Sequence, residues 1–358
     1  MEIGLIGLPQ VGKTTLFNLL TGASYPTGIL GETKVHTGSA PVPDARVDFL
    51  AALYRPQKVT YARVNFKDIP GVDLRGGEKG AAVRFFEEVR GADALCCVVR
   101  AFTAAGVPTY FDALLPLREF QELYAEILLA DIMLVERRLE RIRSGKKVSK
   151  QAAAEVALLE RCLAALNEER PLTEVTRTPE EEALFAGYGF LSLKPLLLAV
   201  NVDEDGLKGG YPQQEALLRY ATERGIPVVE VAARIEAEIA ELPPEDRVEF
   251  LDNLGLQEPG IARLARAAYR ALGLISFFTV GEDEVKAWTV REGTVAKRAA
   301  GKVHSDIERG FIRAEVFAFD DLRQLGSPAK LREAGLLRLE GKDYVVRDGD
   351  VIHFRFKV

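Results

Sequence analysis

The stretch Met1-Glu-Ile-Gly-Leu-Ile-Gly-Leu-Pro-Gln-Val-Gly-Lys-Thr-Thr15 decides the reading of this chain. Its apolar run Ile3–Ile6 has strand character. Gly7-x-x-x-x-Gly12-Lys13-Thr14 is a complete Walker A loop, opening a helix over Lys13–Leu20. The spacing has a physical cause. Gly7 and Gly12 let the backbone wrap tightly, so successive N–H groups point inward at phosphates. The helix start adds the positive end of its dipole. Lys13 is placed to neutralise the β- and γ-phosphates, and the Thr14 hydroxyl to ligate Mg²⁺. Gln10, Val11, Gly12 and Thr15 complete the expected nucleotide contacts.

Two further segments refine the loop. Asp68-Ile-Pro-Gly71 ends the apolar strand Val64–Lys67. Asp68 is expected to hold Mg²⁺ through water and the Gly71 N–H to sense the γ-phosphate, an arrangement of GTPase type. Lys13, Asp68 and Gly71 are therefore the catalytic candidates. Ras-like GTPases follow that glycine with a glutamine that orients the attacking water. Here the residue is Val72, which cannot hydrogen-bond water. Either hydrolysis is slow or another group supplies the function. Asn201-Val-Asp-Glu204 closes a strand over Leu196–Val200, where GTPases carry N-K-x-D. Val202 takes the lysine position and Glu204 the aspartate position. A carboxylate one methylene longer cannot keep the bidentate guanine geometry without backbone movement, and adenine presents an acceptor at N1 where guanine has a donor. Asn201, Val202 and Glu204 are thus expected to face the base, with ATP preferred over GTP.

The 358 residues exceed what one core usually serves, so two or three domains are expected. At 47% apolar, 28% charged and net charge -6, the composition is that of a globular protein, not a basic nucleic-acid coat. Cys96, Cys97 and Cys162 are too few for a disulfide framework and lack metal-ligand spacing. Cys96 and Cys97 lie in the apolar run Ala94–Val99, where core packing is the plain reading. No segment has the ~18 consecutive apolar residues of a membrane span. With no leader pattern before the first strand, a cytoplasmic protein without membrane contact is expected. His36, His304 and His353 are scattered, with no nucleophile or base arrangement around them.

Residues 1 to about 108 alternate strand and helix signals: Thr60–Asp68 and Ala94–Val99 read as strands, Ala81–Val89 as a helix. This predicts a doubly wound, mostly parallel sheet. Leu128, Ile132, Val135, Leu139 and Ile142 then recur at spacings of four and three, as do Ala152, Val156, Leu159, Leu163 and Leu166. They predict an antiparallel helical hairpin of coiled-coil type. Its tip holds Arg137, Arg138, Arg141, Arg143, Lys146, Lys147 and Lys150, diluted by Glu136 and Glu140. A solvated helix end and a phosphate-contacting tip both fit this cluster. Strand signal resumes at Pro195–Asn201 and Ile226–Val231, and helical pattern at Asp246–Leu254 and Pro259–Leu272, so the hairpin is an insertion in one nucleotide-binding domain. The expected parts are residues 1–115 with 190–274, the hairpin 116–189, and a small α+β domain 275–358. In the last, strands are expected at Thr289–Gly293, Ala314–Phe319, Tyr344–Val346 and Val351–Phe356, a helix near Ala296–His304, and a hairpin turn at Asp348-Gly349.

These motifs resemble the YchF/Obg-like ATPase family of P-loop proteins. Gly7–Thr15, Asp68-Ile-Pro-Gly-Val72 and Asn201-Val-Asp-Glu-Asp205 match that family's nucleotide motifs in order, and Val42-Pro-Asp44 matches the segment after its first switch. Phe278-Thr-Val-Gly281, Lys286-Ala-Trp-Thr289, Ala299-Ala-Gly-Lys-Val-His-Ser-Asp306 and Gly310-Phe-Ile-Arg-Ala-Glu315 resemble its TGS domain. The resemblance implies a P-loop NTPase α/β core, a helical coiled-coil insertion and a C-terminal ubiquitin-like α+β TGS domain. It also implies ATP preferred over GTP, a hydrophobic residue replacing the catalytic glutamine, and association with ribosomes. Departures mark a divergent member. Gln10 and Thr14 stand where the family usually has Asn and Ser. The first switch is altered to Tyr25-Pro-Thr-Gly-Ile-Leu-Gly-Glu-Thr-Lys34, leaving Thr33 as the positional candidate for Mg²⁺ beside Thr14 and Asp68, with Thr27 and Thr37 as alternatives. A histidine the family often carries after Val99-Arg-Ala-Phe102 is missing from Thr103–Thr109. Three readings follow: a slow Mg²⁺-dependent ATPase switch associated with ribosome or RNA through the hairpin tip and TGS domain, a non-catalytic ATP-sensing adaptor, and a conventional Obg-related GTPase.

Overall fold

The computed structural model describes residues 1–27, 34–71, 79–104, 106–145, 150–170 and 172–357. Thr33, Val72, Lys146 and Lys147 lie outside the described residues. In chain order the strands are β1 (Glu2–Ile6), β2 (His36–Pro41), β3 (Lys58–Thr60), β4 (Arg63–Asp68), β5 (Ala94–Ala101), β6 (Leu196–Val202), β7 (Val228–Val231), β8 (Leu274–Thr279), β9 (Glu284–Arg291), β10 (Phe311–Ala318), β11 (Arg338–Glu340) and β12 (Asp350–Phe356). The helices are α1 (Lys13–Thr21), α2 (Ala45–Tyr54), α3 (Lys79–Gly91), α4 (Pro116–Arg143), α5 (Lys150–Asn167), α6 (Pro179–Tyr188), α7 (Glu204–Gly209), α8 (Gln214–Glu223), α9 (Ala233–Glu241), α10 (Pro244–Asn253), α11 (Gly260–Ala271), α12 (Ala296–Val303), α13 (Ser305–Arg309), α14 (Phe319–Leu325) and α15 (Pro328–Glu333). The chain divides into two compact units: Met1–Gly38 with Phe66–Ile261, and Ser39–Asn65 with Ala262–Val358.

The first unit is built on the sheet β2-β4-β1-β5-β6-β7, in which β1, β5, β6 and β7 run parallel. Every residue of β5 is buried. Both faces of a parallel sheet are covered, which is why its sequence is a continuous apolar run and not an alternation. Cys96 and Cys97 are two of its core side chains. Open α/β sheets place ligands beyond the carboxyl ends of their strands. There β1 runs into the glycine-rich loop, β4 ends on Asp68, and β6 ends just past Asn201.

The hairpin is present as α4, of 28 residues, packed on α5, of 18. Leu128, Val135, Leu139, Leu159 and Leu166 are buried in its seam, with Ile132, Ile142, Val156 and Leu163 packed at the edges. Asp131 on α4 is fully buried, and its carboxylate accepts the N–H groups of Leu191 and Ser192 at 2.9 and 2.8 Å. These bonds tie the return of the chain to the helix.

The second unit is a mixed sheet in the order β11-β10-β12-β8-β9-β3. β12 pairs antiparallel with β10 and parallel with β8, and β9 antiparallel with β8. The buried Ala296, Ala299 and Ala300 of α12 pack with Phe277, Val316 and Ile352. Residues 39–65, grouped by the sequence with the nucleotide-binding part, fall in this unit. β3 runs parallel to β9 in the register Lys58↔Glu284 to Thr60↔Lys286, a pairing too short and non-local to leave a sequence signal. Three expectations change. The strand expected over Thr60–Asp68 is broken at Tyr61-Ala62 into β3 and β4. Tyr344–Val346 is not a strand but a single bridge, Val345 to Val295. The Asp350 carboxylate accepts the Tyr344 hydroxyl at 2.8 Å and the Arg347 N–H at 2.9 Å, which holds this stretch as a loop. Asp348-Gly349 is then a turn leading into β12, not the tip of a two-stranded hairpin.

Candidate nucleotide-binding site

The glycine-rich loop takes the shape its residues dictate. Gly12 has φ 94°, and a Cβ there would lie 2.2 Å from Asn201 Nδ2. Gln10 also sits at positive φ, 64°, a conformation that Asn tolerates better than Gln. Gly12 caps α1 without any side-chain acceptor. The N–H groups of the first helical turn therefore face outward for an anion. Lys13 is 7% exposed, and its Nζ donates to the Gly7 and Leu8 carbonyls at 3.0 and 2.9 Å. Burial pushes its ammonium down to about 8, against the charges of Asp68 and Glu119, which raise it. A Cβ on Gly71 would lie 2.8 Å from Lys13 Nζ, so that backbone is adjacent to the lysine head.

Thr14 and Asp68 meet directly. The Thr14 hydroxyl donates to Asp68 Oδ2 at 2.7 Å, while Asp68 Oδ1 is buried with no hydrogen-bond donor among the described residues. Two hard oxygen ligands with one acceptor lobe unsatisfied fit a Mg²⁺ or its water shell. Thr33, the third expected ligand, lies outside the described residues. Sequence reasoning missed His36. Its Nδ1 is 4.0 Å from Asp68 Oδ2 and its ring stacks on Tyr25 with centroids 3.9 Å apart. The Asn18 side chain holds Tyr25 from both sides, donating to its carbonyl at 2.8 Å and accepting its N–H at 3.1 Å. Only the neighbouring of β2 and β4 brings His36 there.

Asn201 reaches the loop from β6. Its Nδ2 donates to the Val11 carbonyl at 3.0 Å, and its Oδ1 accepts the Ala233 N–H at 3.2 Å. Lys13, Thr14, Asp68, Gly71 and Asn201 thus stand around one loop. Val202 and Glu204 do not join them by side chain. Val202 is buried in the core, and Glu204, 56% exposed, accepts Lys208 Nζ at 2.7 Å on α7. A second missed group is Glu119, in the first turn of α4 and 1% exposed. Its Oε2 accepts the Arg100 N–H at 2.9 Å, and Oε1 has no donor among the described residues. Burial pushes this carboxyl up to about 7, against the Arg100 N–H and the charges of Arg100 and Lys13.

At the hairpin end the cations are unequal. Arg138 donates to Glu155 and Arg143 to Glu160, each at 2.7 Å across to α5. Arg137 and Arg141 are exposed on α4.

This sheet and this loop define a P-loop protein with a GTPase-type nucleotide domain. A family model described as "50S ribosome-binding GTPase" matches residues 2–126, and the model YchF-GTPase_C, described as a protein of unknown function, matches residues 274–357. The Ribosome-binding ATPase YchF of Haemophilus ducreyi is 41% identical over all of this chain and 99% of its own length. The protein of the same name from Bacillus subtilis is 40% identical over the full length of both. The solved structure of the Schizosaccharomyces pombe YchF GTPase superposes with a TM-score of 0.82 at 28% identity, covering 99% of this chain and 97% of that one. The chain belongs to the YchF family.

Proposed function

We propose that this chain is a Mg²⁺-dependent nucleotide switch that binds ATP more tightly than GTP, hydrolyses it slowly, and works on the ribosome in the cytoplasm. The observation that carries this reading is the convergence of Lys13, Thr14, Asp68 and Asn201 on one glycine-rich loop. The loop N–H groups cradle the phosphates, and Lys13 exchanges the Gly7 and Leu8 carbonyls for phosphate oxygens. Thr14, Asp68 and Thr33 would hold Mg²⁺, which when bound supplies charge neutralisation at the phosphates. The Gly71 N–H reports the γ-phosphate, and Asn201 ties the base-proximal segment to the phosphate loop. Val72 cannot orient water, which supports slow turnover.

The ribosomal role draws on the names of the relatives, and on Arg137 and Arg141 standing exposed near the hairpin end, with the TGS domain as a second contact. Among the described residues no helix is long and apolar enough to cross a membrane. Calorimetry with Mg²⁺ tests the base assignment: ATP is expected to bind more tightly than GTP, and equal or reversed affinities would sink it. The missing glutamine equally favours a second reading, an ATP-sensing adaptor without turnover. A single-turnover assay separates them, because hydrolysis at background rate with binding intact leaves only the adaptor.

A further inference from the structure

The turn 201–204, expected to approach the base, is held by more than Asn201. Arg100, near the end of β5, is 3% exposed and donates to the carbonyls of Phe102 at 3.0 Å, Pro108 at 3.0 Å and Val107 at 3.1 Å. Its own N–H is fixed by Glu119. Strand β5 is therefore tied to α4 through Glu119, and the peptide after it is pinned by the Arg100 side chain. From it, Thr103 offers both its N–H, at 2.9 Å, and its hydroxyl, at 3.3 Å, to Asp203 Oδ2. Asp203 Oδ1 meanwhile accepts the Gly206 N–H at 2.9 Å and caps α7. Burial pushes the Asp203 carboxyl up, but the N–H groups of Thr103 and Gly206 outweigh it and hold the carboxyl below its ordinary range. Asp203 therefore stays ionised, and its bonds to Thr103 are charge-assisted.

We propose that the Thr103–Asp203 pair is a positioning element for base selection, fixing the turn 201–204 against the peptide after β5. The inference rests on the reading that this turn faces the base. Asn201 and Asp203 flank Val202, whose side chain is locked in the core, so two polar anchors and one apolar anchor determine where Glu204 starts α7. Of Thr103, Asn201, Asp203 and Glu204, only Asn201 hydrogen-bonds the phosphate loop among the described residues. Loosening Asp203 should therefore alter discrimination between bases and leave phosphate binding intact.

The test uses the full chain with Mg²⁺ and three probes: ATP, GTP and inorganic tripolyphosphate. Asp203→Ala removes the clamp and the cap together. Asp203→Ser restores a good helix cap but is too short to reach Thr103. Both variants are expected to lower the ratio of ATP to GTP affinity about tenfold, with tripolyphosphate affinity within about twofold of the parent. If Asp203→Ser keeps the parental ratio, Asp203 only caps α7 and the proposal is overturned. Equal weakening of all three probes overturns it as well. If Asp203→Ala fails to fold, Asp203→Ser decides alone. A parent protein that binds ATP no better than GTP refutes the base reading itself, a result distinct from a parental preference that the variants leave unmoved.

Discussion

Replacing Glu119 by Gln should make the first unit more stable at neutral pH and leave it nearly unchanged in acid. The carboxyl is 1% exposed, and one of its oxygens has no donor among the described residues. Its rise from an ordinary 4.5 to about 7 corresponds to roughly 3 kcal/mol, at about 1.4 kcal/mol per pH unit. The direction follows from linkage. The folded state holds this proton more tightly than the unfolded chain, so the favourable contribution is complete below pH 4.5 and lost as pH rises through about 7. Glutamine is neutral throughout, and its side-chain carbonyl can accept the Arg100 N–H. Urea unfolding of parent and Glu119→Gln at about pH 5 and pH 8 should show a gain larger at the higher pH by about 2–3 kcal/mol. In thermal unfolding the same difference is about 5–10 °C for a unit of this size. An equal effect at both pH values, or a loss confined to pH 8, would refute the argument that burial of charge dominates this site.

Phosphate binding should recharge Lys13, whose ammonium is lowered to about 8. At pH 8 ATP binding should take up as much as about half a proton, seen as calorimetric heats that depend on buffer ionisation, with little uptake below pH 7. Buffer-independent heats at pH 8.5 would contradict this. Asn201→Ala leaves the Val11 carbonyl and the Ala233 N–H without their partner. It should cost about 1–3 kcal/mol in unfolding and weaken ATP about tenfold, so unaltered binding would remove Asn201 from the site. Reversing Arg137 and Arg141 to Glu should weaken ribosome co-sedimentation in a salt-sensitive way. Arg138→Glu should instead destabilise the hairpin, because it breaks the bridge to Glu155; unchanged co-sedimentation of the double reversal would make the tip a solvated end.

Much of the fold can be read along the chain where the signal is contiguous. The heptad-like spacing from Leu128 to Ile142 marks α4, and the apolar run at Ala94–Val99 marks β5. The exceptions share a cause. Lys58-Val-Thr60 is three residues long and becomes a strand only beside β9. Tyr344–Val346 has strand composition, yet the Asp350 carboxylate captures its local donors. In the site, Lys13 and Thr14 are legible because one short backbone motif contains them. His36 and Glu119 are not, since neither belongs to a contiguous pattern; Asp203 stands inside the N-V-D-E segment, but its partner Thr103 comes from a distant element.

By itself, then, the sequence determined the phosphate loop, the parallel α/β core and the hairpin inserted in it. Glycine spacing and side-chain periodicity act over one or two turns of backbone and need no distant neighbour. Only the tertiary structure decided what surrounds that loop. Strand order carries Asp68, His36 and Asn201 to it, and burial at the start of α4 gives Glu119 its raised pKa. It also decided that the side chains of Val202 and Glu204, one in the core and one bonded to Lys208 on α7, do not join that loop.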